Sequence, residues 1–194
     1  MSISALAGAD SFALSQQLFS RQDLVPPQTG VLWRIKRGVV RTLTWSEQGT
    51  SITLGYWGTG DVVGHSLSRL DPYQIECSTN VEVSILPSEL WHQALDAIIL
   101  HIQQAEELLH IVHLQPLPLR LWQFLVWLGQ KFGHDVDLGR SINLKLTHQE
   151  IASAINTTRV SVTRTLQQIE SEGMLLRLRG QFVLCSRNWQ VERK

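Results

Sequence analysis

The hydrophobic period of this chain changes at Pro87, and the change splits the fold into two kinds of structure. Upstream, apolar residues alternate over short runs. Val31, Trp33 and Ile35 alternate with Leu32, Arg34 and Lys36; Ile52, Leu54 and Tyr56 with Thr53 and Gly55; Val81, Val83 and Ile85 with Glu82 and Ser84. A period of two over short runs predicts half-buried strands. Gly30, Gly38, Gly49, Gly55, Gly58, Gly60 and Gly64 mark the turns between them. Many short strands with glycine turns predict a small barrel or jelly roll over residues 1–86. Within that span Phe12–Phe19 reads as a short helix, ended by Pro26-Pro27.

Downstream the period lengthens. Trp91, Leu95, Ile98, Ile102, Ala105, Leu109 and Val112 follow one another at alternating steps of four and three. This heptad seam contains no glycine or proline and predicts one helix from Ser88 to Leu114, about 40 Å long at a rise of about 1.5 Å per residue. A seam that narrow predicts a parallel coiled coil in a homodimer, with those seven residues at the interface. Ile99, Leu108 and Ile111 widen the stripe, so one flank is expected to pack on the roll as well.

Pro116 and Pro118 break the helix. A second amphipathic helix, Leu119–Phe132, carries Leu121, Trp122, Leu125 and Leu128 on one face. Gly133–Gly139 reads as a loop and Ser141–Leu146 as a short strand. The chain is therefore α+β in three parts: a roll over 1–86, a dimerisation helix over 87–115 and a winged helix-turn-helix over 116–194.

The last part carries the chemistry. Thr147-His148-Gln149-Glu150 is a capping box, in which the Thr147 hydroxyl accepts from the third helical N–H and Glu150 reaches back. Ile151, Ala152 and Ile155 give the buried side of a short helix, and Asn156-Thr157 breaks it. A second helix starts near Thr158, buries Val162, Leu166 and Ile169, and stops at Gly173. Two short helices with a turn of about three residues make a helix-turn-helix. Its outward, N-terminal face holds Arg159, Val160 and Arg164. Arginine can pair bidentately with guanine, and valine methyls can pack on thymine, so these three are the base-reading candidates. Thr147, His148, Thr158, Ser161 and Thr163 are short polar groups suited to phosphate oxygens. Met174–Arg179 and Gln181–Ser186 flank Gly180 as a hairpin wing, whose Arg177 and Arg179 are further phosphate candidates.

Charge supports this division. The chain is neutral overall, yet seven Lys/Arg stand against three Glu between Arg140 and Arg187. Two cysteines exclude a disulfide framework, and no CxxC or HExxH spacing occurs. No signal peptide and no membrane span are read, so a cytoplasmic protein without a membrane partner is expected.

On these residues the chain resembles the Crp/Fnr family of bacterial regulators. The run from Leu146 to Leu166, LTHQEIASAINTTRVSVTRTL, is the most specific part, and Gly60–Gly64, GDVVG, is similar to the family's β-roll. Arg159, Val160, Val162, Thr163 and Arg164 match the R-V-x-V-T-R of the cyanobacterial nitrogen-control branch. The resemblance implies a homodimer on double-stranded DNA at a GTA-N8-TAC-like palindrome, with RNA polymerase as a further partner. The family's cyclic-nucleotide cassette is altered: His65 stands at its glutamate position, and Ile75-Glu76 near its arginine. An acid there should repel a cyclic phosphate, so control by cAMP is not expected. Arg34, Arg37 and Arg41 are weak candidates for holding an anionic effector, and the absence of Arg and Lys from residues 88–114 argues against one held between roll and helix. No cofactor is expected, and the sequence names no effector. Haem ligation by His65 or His92, and metal binding by His110 with His113, are weaker readings than plain core or surface histidines. An enzyme is not expected, because a cupin-like metal site needs a His/Glu cluster that the roll lacks. The alternative is an interaction module with a degenerate roll.

Overall fold

The computed structural model describes residues 16–178 and 180–185. Eight strands form the roll: β1 (Gln16–Phe19), β2 (Leu24–Val25), β3 (Val31–Arg37), β4 (Val40–Trp45), β5 (Ser51–Trp57), β6 (Val62–Val63), β7 (Gln74–Cys77) and β8 (Val81–Pro87). They pair antiparallel into two four-stranded sheets, ordered β1-β8-β3-β6 and β2-β7-β4-β5. Trp33, Ile35, Val40, Trp57, Ile75 and Val83 fill the space between the sheets. Gly38 turns β3 into β4 at φ +92, where a Cβ would stand 2.2 Å from the Asn80 carbonyl oxygen. Only glycine fits such a turn.

The expected Phe12–Phe19 helix is corrected for its described part. Gln16–Phe19 is an edge strand on β8, and Phe19 stands edge-on to Trp33 at 6.3 Å. Edge pairing and one aromatic contact override a weak local helical pattern. Phe12–Ser15 lie outside the described residues.

The expected helix from Ser88 to Leu114 is corrected too. Ser88–Ala94 is a tight 3-10 segment, and the α-helix proper, α1, is Leu95–His113. Trp91 donates from Nε1 to the Leu86 carbonyl, and Leu90 and Trp91 pack on Leu32, Val62 and Leu86. Those contacts hold the first turns against the end of the roll. The nineteen-residue helix is then about 28 Å long rather than 40. It buries Gln104, Leu108 and Ile111, the last two in the same cluster as the next helix. Leu95, Ile102 and Leu109 remain 57, 54 and 59 % exposed, while Trp91, Ile98, Ala105 and Val112 are half-buried.

Next comes α2 (Leu117–Phe132), which takes Pro118 into its first turn, where no N–H is missed. Nine of its sixteen residues are buried, including Trp122, Phe124 and Trp127. Gly133–Gly139 proves to be more than a loop: β9 (Gly133–Val136) and β10 (Gly139–Ile142) form a hairpin. Arg140 lies across it, donating to the carbonyls of Gly129 at 2.7 Å and Gly133 at 2.8 Å and to Asp135 at 2.8 Å. The strand thus ends at Ile142, and Leu144 and Leu146 follow as extended chain packed on the core. The helices α3 (His148–Ala154) and α4 (Arg159–Ser171) come next, then β11 (Leu175–Leu178) and β12 (Gln181–Cys185). The third sheet is ordered β11-β12-β10-β9.

The roll keeps a core of its own, and two of its residues reach that of the C-terminal half. Val39 and Tyr56 belong to the same apolar cluster as Phe124, Leu128, Ile151 and Leu166. No helix among the described residues is long and apolar enough to cross a membrane.

Candidate nucleic-acid interface

The reading head begins at a complete capping box. The Glu150 N–H donates to Thr147 Oγ1 at 3.1 Å, and the Thr147 N–H donates to Glu150 Oε2 at 2.6 Å. Ile151, Ala152, Ala154 and Ile155 face the core. The turn passes through Asn156 at φ +51, a left-handed conformation that asparagine tolerates better than most residues. Thr158 then caps α4, accepting from the Ser161 N–H at 3.1 Å and sharing a 2.9 Å hydrogen bond with the Ser161 hydroxyl. Val162, Leu166 and Ile169 fix the buried side of α4, and Gly173 closes it at φ +70.

That burial decides what α4 presents. Arg159, Val160 and Arg164 are exposed together, Val160 at 58 %. The three base-reading candidates therefore share an open face at the start of the helix. The phosphate candidates divide. Thr147 and Thr158 use their oxygens as caps, which leaves a hydroxyl hydrogen on Thr147 free to donate outward. Thr163 Oγ1 donates to the Arg159 carbonyl at 3.0 Å and lies 2.7 Å from His148 Nδ1. Arg177 pairs with Glu170, lies over the Phe182 ring at 5.4 Å and meets His148 Nε2 at 3.3 Å. It is less free for phosphate than the sequence suggested. Arg179 lies outside the described residues. Burial, Arg177 and Arg159 push His148 below the usual histidine range, against the opposing pull of Glu170.

Several residues that hold the site were not singled out in the sequence, or, like Arg41, were read there for another role. Arg120 is buried in α2 and ties the end of α1 to the turn, through the Leu114 carbonyl at 3.0 Å and the Ile155 carbonyl at 3.1 Å. A second set ties the head to the roll. Ser153 of α3 donates to the Ser51 carbonyl at 2.8 Å and meets Thr53 Oγ1 at 3.1 Å. Arg41 clasps Glu76 at 3.0 Å and approaches Glu150 at 3.7 Å. Lys131 reaches the Tyr56 carbonyl at 2.6 Å, Gln104 at 2.7 Å and Asp61 at 3.7 Å. The one available signal was a cation set among apolar helix residues, at Arg120 and Lys131.

The roll's sensor positions are rearranged. Glu76, near which the resemblance sets the family's arginine, is paired with Arg41 instead of standing as a bare charge. Arg41 is spent on carboxylates, and Arg34 donates to the Gln93 carbonyl at 3.0 Å. His65 Nε2 meets the Tyr73 carbonyl at 3.0 Å. A cavity of about 570 Å³ lies between β5, α1 and α3, floored by Trp57 and His101 stacked 3.7 Å apart. Its lining holds no Asp, Glu, Lys or Arg among the described residues. No cluster of three or more His, Cys, Asp or Glu suited to a metal occurs among them either.

The chain matches the Crp-like helix-turn-helix domain over residues 119–188. It is 39 % identical over 163 residues to the regulatory protein CysR of Synechococcus elongatus, covering 82 % of this chain and 79 % of that protein. It is 32 % identical over 182 residues to the global nitrogen regulator of a Synechocystis strain, covering 86 % and 79 %. Among solved structures, a CRP-family transcriptional regulator of Thermus thermophilus superposes with a TM-score of 0.76 at 22 % identity, over 88 % of this chain and 92 % of that one. With a capped helix-turn-helix, an exposed arginine pair on its second helix and a β-roll docked behind it, the chain belongs to the Crp/Fnr family of DNA-binding transcription regulators, close to the cyanobacterial nitrogen regulators, and is not an enzyme.

Proposed function

We propose that the protein works in the cytoplasm as a homodimer reading a palindrome of the GTA-N8-TAC type, with Arg159, Val160 and Arg164 on the bases. The carrying observation is the shared exposure of these three side chains at the start of α4. Thr147, Thr158 and Ser161 line the same end, where hydroxyls meet phosphate oxygens. Leu95, Ile102 and Leu109 give α1 an apolar outer face for a second copy, which would set the two recognition helices about one DNA turn apart. RNA polymerase is the protein partner such a regulator would meet on DNA. Control by cAMP is not proposed: the roll offers a Glu76–Arg41 pair where a cyclic phosphate needs a free cation. Selection of sites from random DNA by the purified protein tests the reading. A GTA-N8-TAC consensus is expected. A TGTGA-type consensus, or no enrichment, would overturn it.

A further inference from the structure

We propose that His148 is a positioning residue for base recognition, joining the wing to the first turn of the recognition helix by a one-way chain of hydrogen bonds, and is not itself a phosphate contact.

The chain can be read in only one direction. Arg177 Nη1 lies 3.3 Å from His148 Nε2, and a guanidinium only donates, so Nε2 is the acceptor. In a neutral imidazole the other nitrogen then carries the proton. Nδ1–H therefore donates to Thr163 Oγ1 at 2.7 Å. With its oxygen accepting, the Thr163 hydroxyl sends its hydrogen to the Arg159 carbonyl at 3.0 Å. Four residues from three elements are linked: Arg177 on β11, His148 on α3, and Thr163 with Arg159 on α4. The far end is the backbone of a residue proposed to read a base. The near end is anchored independently, since Arg177 also pairs with Glu170 and lies over Phe182.

The charged groups facing His148 agree with a neutral ring. Arg177 from β11 and Arg159 from α4 both disfavour the imidazolium, burial does the same, and Glu170 of α4 alone opposes them. Once protonated, Nε2 carries a hydrogen that points at a guanidinium. The link to the wing breaks, and two cations face each other. Specific binding should therefore fall as pH drops below the usual histidine range, with one proton taken up.

The test is binding of the full chain to its selected palindrome and to unrelated duplex DNA, for wild type, H148A, H148N, T163V and H148A/T163V. Thermal melts confirm that each variant is folded. H148A and T163V are each expected to lower affinity for the palindrome about 5- to 10-fold, equivalent to about 1–1.4 kcal/mol, with unrelated DNA hardly affected. The double variant should be no worse than either single one, because one broken link already opens the chain. H148N, whose amide N–H stands near Nδ1, should recover part of the loss, and its binding should be flat between pH 7.5 and 5.5 where wild type weakens. Equal losses on palindrome and unrelated DNA would make His148 a phosphate contact and overturn the proposal. Additive effects of H148A and T163V would also overturn it, as would a pH profile shared by wild type and H148N. The inference rests on α4 reading bases. That premise fails separately if R159A leaves the palindrome preference unchanged.

Discussion

Arg120 of α2 donates from Nη1 to the Ile155 carbonyl at 3.1 Å, in the turn that separates the two helices of the reading head. The same side chain holds the Leu114 carbonyl, just past the end of α1, through Nε at 3.0 Å. A buried cation is here satisfied by carbonyls instead of a carboxylate. Charge-assisted bonds of this kind contribute about 1.5–3 kcal/mol each, and an orphaned buried carbonyl costs about 1–3 kcal/mol. Arg120→Met should therefore lower unfolding free energy by about 3 kcal/mol, read from urea melts. Arg120→Lys should recover little, since one ammonium does not span both carbonyls.

On DNA, Arg159→Ala and Arg164→Ala should each weaken binding by about 1–3 kcal/mol, with relaxed preference at particular base pairs. Competition assays against single-position variants of the selected site measure this. A uniform loss over all positions would assign the two arginines to phosphate instead.

Association is tested on α1. Ile102 and Leu109 are more than half exposed and apolar. Burying such side chains against a partner contributes about 1.5–3 kcal/mol each. Ile102→Glu with Leu109→Glu should therefore raise the dimer dissociation constant by at least about 100-fold. Sedimentation equilibrium reads it directly. An unchanged mass would place the dimer contact elsewhere.

Lys131 gives the fold a distinctive alkaline response. Burial pushes its ammonium down to about 8, against the pull of Asp61 and Glu107. The folded value lies below the unfolded one, which is about 10.4. Between those two pH values the unfolded chain holds a proton that the native protein has lost. Stability from this group therefore rises with pH across that window. Lys131→Met should remove that rise, so the difference between variant and wild-type unfolding free energies should change from pH 7.5 to pH 10. A constant difference would count against the shift.

The sequence reached some levels of this structure and not others, for physical reasons. The reading head was legible almost residue by residue. Its cap, turn and buried triplet are local, and Thr147, Asn156 and Val162 act within a few residues of their partners. Strands β3, β5 and β8 were legible from their alternating sequence, although the buried face differs: Ile52 is exposed while Thr53 and Ser84 are buried. β1 was not, since its strand state comes from pairing Gln16–Phe19 with β8, far along the chain. The break at Ala94 was hidden for a similar reason. The heptad pattern runs through it, and only Trp91 docking on Leu86 shows why the first turns tighten. The link from Arg177 through His148 to Thr163 depends on three elements meeting, and no spacing rule reports that.

Val39 and Tyr56 sit in the apolar cluster of the C-terminal half. The two halves therefore cannot be exchanged like cassettes. A head grafted onto a foreign roll would arrive with a hole the size of a tyrosine beside Phe124, and a roll isolated by itself would expose that ring to water. Chimeras that respect the chain's apparent boundaries should aggregate or melt early unless Val39 and Tyr56 travel with the head.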